Sequence, residues 1–190
     1  LREMSQVLKQ NKAFVYLWSD FNFRFFVKNS FNKSNIYKSN IPWTFYSRKL
    51  KKNNHTIGFM GDARRARGFH LLPNLIKILE TKKKTFNYLI QFSKINDDLI
   101  GTKRELYKMA KNNNKIRIIE KYANYKEFLS YLRKIDIMPI LHNAKEINAV
   151  TSGTLYSCIP YEVPIVVPSG TEFMKNIQKF KSYEKAKNLK

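Results

Sequence analysis

Apolar positions follow two patterns along the chain, and from about residue 55 the two patterns alternate. Short apolar runs predict buried strands, and apolar residues at helical spacing predict amphipathic helices. The predicted strands are Thr56–Met60, Phe86–Phe92, Lys115–Ile119, Asp136–Leu141 and Val163–Val167. The predicted helices are His70–Glu80, Asp97–Lys111, Tyr125–Lys134, Ser152–Ile159 and Thr171–Phe180. Strands that alternate with helices over short connections indicate an α/β fold, a doubly wound, Rossmann-like parallel sheet.

The first part of the chain is less regular. Ala13–Trp18 predicts a buried strand, Phe21–Val27 a helix, Ile36-Tyr37 a short strand and Ser47–Asn54 a linker. The chain starts at Leu1 rather than Met, so we expect a fragment or a processed product. The predicted organisation is an N-terminal remnant with a linker, a Rossmann-like domain and a basic tail, at residues 1–50, 51–180 and 181–190 respectively.

Composition adds a core and a large positive charge. The chain has 190 residues, of which 43% are apolar and 14% aromatic, enough for one full domain. The formal net charge is +22, mostly from Lys spread beside abundant Asn. This charge has two interpretations, an AT-rich coding bias or an anionic partner such as a membrane surface.

The sequence also bears on location. Cys158 is the single cysteine, which excludes an internal disulfide and fits a reducing cytoplasm. No apolar stretch is long enough to span a bilayer. We therefore expect a cytoplasmic protein, and the charge leaves open a peripheral contact with the inner face of the cytoplasmic membrane.

The first candidate site is the loop Gly61–Gly68, which follows the strand Thr56–Met60. One glycine lets the backbone turn, three arginines follow, and a second glycine opens the next helix. Helix N-termini attract anions, and arginine carries forked donors that match phosphate oxygens. The G-x-G-x-x-G spacing of dinucleotide sites is absent. The loop is either a phosphate site or a solvated basic loop, and its candidate ligands are Gly61, Arg64, Arg65 and Arg67.

The second candidate site is Thr151–Thr154, at the start of a predicted helix. Ser152 is a good N-cap, and Gly153 lets a ligand approach the backbone. Because this helix start follows the fourth strand, it should face the same crevice as Gly61–Gly68, at the carboxyl ends of the strands. The alternative is an ordinary capped helix.

The remaining reactive residues suggest neither a metal centre nor a hydrolase. His55, His70 and His142 do not form metal-ligand spacing with Cys158, so the sequence predicts no metal site. Each of the three is interpreted as a satisfied or exposed histidine. Cys158 has apolar neighbours and is interpreted as a packed residue rather than a nucleophile. The sequence assigns no catalytic residue.

The two candidate sites resemble blocks of bacterial GT-B glycosyltransferases of the group 1 type. Ile57–Pro73 is similar to the opening of the C-terminal domain in that family, where a strand, a glycine and a basic residue with glycine precede the first helix. Asp136–Leu141 resembles the strand before the donor loop, and Thr151–Pro168 resembles the stretch that follows. The resemblance covers about residues 55–178. It implies the C-terminal half of a GT-B enzyme, with a remnant of the N-terminal acceptor domain in Ala13–Pro42.

In that family the two blocks flank a nucleotide-diphosphate sugar between two Rossmann-like domains. The resemblance therefore implies a nucleotide sugar as substrate, with no separate cofactor, and a glycan or lipid-linked acceptor. Positive charge at the diphosphate would stabilise the leaving nucleotide. Arg67 holds the usual basic position before the glycine. The implied donor-binding residues are Arg64, Arg65 or Arg67 at the diphosphate, and Ser152, Gly153 and Thr154 near the phosphate or sugar.

Several positions depart from the family pattern. Seven residues before Pro164 the family usually has a glutamate that holds the ribose, and this chain has Ser157. Glu162 stands where glycine is common, and His142 and Ile147 replace tyrosines. Ser157 offers one hydrogen bond in place of a charged pair of contacts, so we expect a weaker hold on the ribose.

Three functions follow. The first is transfer of a sugar from a nucleotide-diphosphate donor to an envelope or polysaccharide acceptor. The second is a degenerate GT-B-like domain that binds a partner or membrane without catalysis, which Ser157 and Glu162 favour. The third is a basic nucleic-acid-binding module. The third is disfavoured because the sequence carries no recognition motif and no interleaved aromatic and basic stripe.

Overall fold

A computed structural model describes residues 15–17, 28, 36–38, 55–143, 152–158, 161–168 and 174. The strands are β1 Val15–Leu17, β2 Ile36–Lys38, β3 Thr56–Met60, β4 Asn87–Phe92, β5 Ile116–Glu120, β6 Met138–Pro139 and β7 Ile165–Val166. The α-helices are α1 Leu72–Glu80, α2 Ile100–Asn112, α3 Tyr125–Leu132 and α4 Gly153–Cys158. Short 3₁₀ turns lie at Arg65–Arg67, Phe69–Leu71 and Asp97–Leu99.

The strands from β3 onward pair in parallel. β4 lies between β3 and β5, and β6 pairs with β7. The two groups meet at β3, where the Gly58 amide donates to the Ile137 carbonyl at 3.0 Å and the Ile137 amide donates to the Thr56 carbonyl at 3.2 Å. The spatial order is therefore β5-β4-β3-β6-β7. This confirms the predicted α/β fold with a Rossmann-like parallel sheet.

Two buried clusters lie on opposite faces of this sheet. α1 and α2 cover one face and α3 and α4 the other, as a doubly wound fold requires. Phe59 and Met60, which are consecutive in β3, point into different clusters, since side chains alternate along a strand. The first cluster includes Phe59, Phe69, Leu72, Ile76, Ile90, Phe92 and Leu106. The second includes Met60, Leu89, Leu132, Ile135, Met138, Leu155 and Cys158.

The observed bounds follow the predicted ones with local differences. Two helices begin as 3₁₀ turns, so α1 starts at Leu72 rather than His70 and α2 at Ile100 rather than Asp97. Pro73 lies in the first turn of α1, where its missing N–H is not needed.

The fourth strand is shorter than predicted. In the predicted strand Asp136–Leu141, the Met138 amide donates to the Pro164 carbonyl and the Ile140 amide donates to the Val166 carbonyl of β7, both at 2.8 Å. The next amide that would donate to β3 belongs to Pro139, which has none. The ladder to β3 therefore stops at Ile137, and β6 spans two residues.

The N-terminal strands lie in a sheet of their own. β1 and β2 pair in parallel, with Val15 opposite Ile36, which agrees with the strands predicted there. The helix predicted at Phe21–Val27, the linker at Ser47–Asn54 and the basic tail lie outside the described residues, as does most of Thr171–Phe180. The domain boundary near residue 50 stays a prediction.

Candidate functional site

The loop after β3 is fixed by the strand beside it. The Gly61 amide donates to the Gln91 carbonyl at 3.1 Å, and the Ala63 amide donates to the Lys94 carbonyl at 2.7 Å. Gly61 has φ of +121°, which favours glycine. A Cβ at this position would lie 2.6 Å from Nη1 of Arg67. Glycine therefore permits both the turn and the approach of the Arg67 guanidinium to the backbone.

The far end of the same loop packs against the end of β6. Gly68 ends the Arg65–Arg67 turn with φ of +76°, and a Cβ there would lie 2.2 Å from the Leu141 carbonyl oxygen. The Asn143 amide donates to the Ala66 carbonyl at 3.1 Å. The loops after β3 and β6 are thus in direct backbone contact, at the carboxyl edge of the sheet.

The three arginines of the loop have different surroundings. Arg64 pairs with Asp62 at 2.8 Å, and Asp62 also accepts from the Ser93 hydroxyl at 3.2 Å. Arg65 pairs with Asp98 at 2.9 Å. Both arginine side chains are more than half exposed, at 53% and 56%. Among the described residues Arg67 has no carboxylate partner, which distinguishes it from Arg64 and Arg65.

The start of α4 lies beside Arg67. The Thr154 hydroxyl donates to the Met60 carbonyl at 3.4 Å. Oγ1 of Thr154 would lie 3.7 Å from a Cβ built on Gly61. Ser152 is buried and its Oγ accepts from the Leu155 amide at 3.3 Å, which agrees with the predicted N-cap. Gly153 is exposed, and a Cβ added to it would meet no atom within 4 Å.

Ser157 does not face this crevice with a free hydroxyl. Its Oγ donates to the Gly153 carbonyl at 2.8 Å, one helical turn earlier. A serine hydroxyl that bonds back to its own helix offers less to a ligand than an unbonded one. The position at which the family has its glutamate is therefore occupied by a side chain engaged within α4.

A shallow crevice, open to solvent, lies between these elements. Its polar groups come from Arg67, His142 and Thr154, and its floor comes from the ends of β3 and β6. Burial lowers the pKa of His142 to about 4, and the positive charge of Arg67 contributes to that shift. The His142 ring is therefore neutral near pH 7, and Arg67 supplies the positive charge of the crevice. The lining residues are Phe59, Met60, Arg67, Met138, Pro139, Ile140, Leu141, His142 and Thr154.

The predicted site residues thus separate into two groups. Gly61, Arg67 and Thr154 meet in one crevice, as the sequence predicts for the two loops. Arg64 and Arg65 are held in exposed ion pairs outside it. Their role at a diphosphate stays a prediction. Three further predicted site residues lie in α4 or at its N-cap, and their donor-binding roles also stay predictions: Ser152, Gly153 and Ser157.

His142 is the crevice residue that the sequence interpretation missed. The sequence alone treats it as a satisfied or exposed histidine at a position where the family often has tyrosine, and gives it no role, yet it lines the crevice beside Arg67. Its position directly after the predicted fourth strand is the available signal, because such positions lie at the carboxyl edge.

Two further features concern metals and membranes. Within the described residues, no three His, Cys, Asp or Glu side chains are placed to hold a metal ion. Over the same part of the chain, no helix is long and apolar enough to cross a membrane.

Comparisons with known proteins agree with this architecture. No family model matches the chain, and no curated protein does. HepE (Alr3699) from Anabaena, solved in complex with UDP and glucose, is similar over 86% of this chain and 46% of its own, with a TM-score of 0.59 and 13% identity. The chain has the fold of a GT-B glycosyltransferase domain. The GT-B resemblance inferred from the sequence is thereby confirmed at the level of the fold.

A second solved structure is the C-terminal domain of LpcC, a glycosyl transferase group 1 family protein from Francisella tularensis. It is 16% identical over 60% of this chain and 57% of its own, with a TM-score of 0.47. The chain spans about half the length of the two solved chains, 57% of the LpcC domain and 46% of HepE.

Proposed function

We propose that the chain binds the donor in a glycosyltransferase that moves a sugar from a nucleotide-diphosphate donor to an envelope or polysaccharide acceptor. The observation that carries the proposal is the meeting of Arg67, Gly61 and Thr154 at the carboxyl edge of a GT-B-type sheet. Ligands of doubly wound sheets bind at this edge. HepE, which shares the fold, was solved with UDP and glucose.

The charges support an anionic ligand. Arg64 and Arg65 are neutralised by nearby carboxylates, whereas Arg67 faces the crevice without one among the described residues. A guanidinium beside open backbone suits a diphosphate, because its forked donors match the phosphate oxygens. As the bond between the sugar and the diphosphate breaks, negative charge grows on the leaving phosphate oxygens. A fixed positive charge at Arg67 would stabilise that charge.

The chain supplies one wall of the crevice in this proposal. The acceptor, a glycan or a lipid-linked glycan, would be held by the facing domain, since a pocket of this kind needs both walls. The donor needs no separate cofactor. The protein would act in the cytoplasm, where nucleotide sugars serve as substrates.

Calorimetry tests the proposal. The chain is titrated with uridine, guanosine and thymidine diphosphate sugars, and the wild type is compared with Arg67→Gln and with Arg64→Gln as a matched control. Loss of charge-assisted hydrogen bonds should weaken donor binding by Arg67→Gln about 10- to 100-fold. Arg64→Gln should change it less than about threefold, as expected for an exposed ion pair. Equal effects of the two substitutions would contradict the role of Arg67.

The second candidate is a degenerate GT-B-like domain that binds a partner or a membrane without catalysis. Ser157 favours it, because its hydroxyl is bonded within α4 and no carboxylate stands at that position. If the folded wild type binds none of the three classes of donor, this candidate replaces the first. A nucleic-acid-binding module is the third and is disfavoured for want of a recognition motif.

A further inference from the structure

The two ends of the parallel sheet differ in how their charges are arranged. At the carboxyl edge, four cations pair with carboxylates, in Asp62–Arg64, Arg65–Asp98, Lys103–Glu120 and Lys121–Glu127, and the exposed Lys94, Arg104 and Lys126 lie among them without an ion pair to a described residue. At the amino edge lies a set of lysines for which the described residues supply no ion pair. We call this set the basic edge, and it consists of Lys82, Lys83, Lys84, Lys111, Lys115 and Lys134.

Backbone hydrogen bonds bring these lysines to one end of the molecule. The Asn87 amide donates to the His55 carbonyl at 3.1 Å, and the Tyr88 amide donates to the Lys115 carbonyl at 2.8 Å. The starts of β3, β4 and β5 are therefore level with one another. The lysines lie in the segments that lead into β4, β5 and β6, so all of them lie at the amino edge of the sheet.

The carboxylates near the basic edge are engaged in bonds of their own. Glu80 accepts from the Tyr88 hydroxyl at 2.9 Å, and burial together with Glu80 raises the pKa of Tyr88. Asp136 accepts from the Thr56 amide at 2.8 Å. Both acids hold the ends of strands in place. The lysines of the basic edge, which are exposed apart from the half-buried Lys115, therefore present their charge to solvent.

Two simpler explanations do not account for this arrangement. Cations are favoured at helix C-termini, but that effect fades within the last turn. It accounts for Lys111, which lies in the last turn of α2, whereas the other five lysines of the basic edge lie beyond the ends of their helices. A coding bias would scatter lysines without regard to acids. The described ion pairs instead gather at the carboxyl edge, along with Lys77–Glu105 between α1 and α2.

We propose that the basic edge docks onto an anionic lipid surface, at the end of the domain opposite the crevice. Lysine is a compact charge that needs no fixed geometry in its partner, which suits mobile headgroups. Ile78, 49% exposed in the last turn of α1, adds an apolar side chain next to the basic edge. This inference does not depend on the proposed donor site.

A nucleic acid fits the basic edge less well. Proteins that bind single strands stack bases on exposed aromatic rings, and arginine dominates specific contacts to phosphate and base. Among the described residues, the exposed tyrosines Tyr122 and Tyr125 lie at the carboxyl edge, and Tyr107 is bonded to Glu120. At the basic edge the exposed His55 ring contacts the half-buried Phe86 ring, with 6.5 Å between centroids, and the described residues there include no exposed Phe, Tyr or Trp on which a base could stack.

Vesicle co-sedimentation tests the proposal on the 190-residue chain. Vesicles of phosphatidylcholine with phosphatidylglycerol are compared with vesicles of phosphatidylcholine alone, at low and high salt. The test variant is Lys82→Gln/Lys83→Gln/Lys84→Gln. The control variant, Lys94→Gln/Arg104→Gln/Lys126→Gln, removes the same charge from exposed positions elsewhere. Circular dichroism verifies that both variants are folded.

The expected result is binding that requires phosphatidylglycerol and weakens at high salt. The test variant should bind on the order of 100-fold more weakly, since each of its three lysines contributes about fivefold near an anionic surface. The control variant should bind within about threefold of the wild type. Equal weakening of both variants, or no dependence on phosphatidylglycerol, would overturn the proposal. So would affinity of the basic edge for duplex or single-stranded DNA, measured by anisotropy, without affinity for vesicles.

Discussion

Gly68 provides the sharpest test of how the two crevice loops are joined. Its φ of +76° is unfavourable for any other residue by about 1–2 kcal/mol. A Cβ would also lie 2.2 Å from the Leu141 carbonyl oxygen and 2.5 Å from the Leu141 Cβ. The first of these contacts is with backbone, which cannot rotate away, so overpacking adds about 1–3 kcal/mol. We expect Gly68→Ala to lower the free energy of unfolding by about 2–5 kcal/mol.

The assay is urea unfolding followed by far-UV circular dichroism, with Gly101→Ala as the control. A Cβ at Gly101 meets no atom within 4 Å, and Gly101 lies inside α2. Alanine there should be neutral or stabilise the protein by up to about 1 kcal/mol. If both variants unfold at the same urea concentration, the contact between the loop and Leu141 does not hold in solution.

Two further predictions concern a pH dependence and a helix cap. The pKa of His142 falls from 6.5 to about 4 on folding, so between these pH values the unfolded chain binds a proton that the folded chain does not, and stability falls as pH falls. After discounting for the exposed part of the ring, this loss in the free energy of unfolding is about 1–2 kcal/mol. Urea unfolding of His142→Gln between pH 6.5 and about 4 should therefore show a decrease in stability smaller than that of the wild type by this amount. If the substitution leaves the pH profile unchanged, His142 is not the group responsible. Asn124 and Glu127 form a reciprocal capping box at the start of α3, so Asn124→Ala should cost about 1 kcal/mol in thermal unfolding. Asn96→Ala is the control, because Asn96 caps a 3₁₀ turn without a side-chain bond, and an equal cost for both would contradict the role of the box.

Much of the fold follows from local pattern. The alternation of apolar runs and helical spacing predicts β3, β4, β5 and α3 to within about two residues, because each buries a face whose period the sequence displays. The sequence places the two loops at one edge for the same reason, since all carboxyl ends of parallel strands meet there.

The rest depends on contacts that no local pattern carries. Nothing near Arg65 in the sequence shows that Asp98 neutralises it, since Asp98 lies 33 residues away. The burial of His142 beside Arg67 depends likewise on tertiary packing. The basic edge is assembled from the ends of three helices, so its lysines look merely scattered when read along the chain.

The central position of β3 has a consequence for how the chain folds. On one side β3 pairs with β4, and the two strands are separated in the chain by α1. On the other side β3 pairs with Ile137, and the Thr56 amide donates to the carboxylate of Asp136, 80 residues away. During synthesis the sheet β3-β4-β5 can form first, with the backbone of one side of β3 unpaired until β6 emerges. An unpaired edge of this kind is a template for association between chains. We therefore expect a chain in which β6 has not yet paired with β3 to be more prone to aggregation than the folded protein.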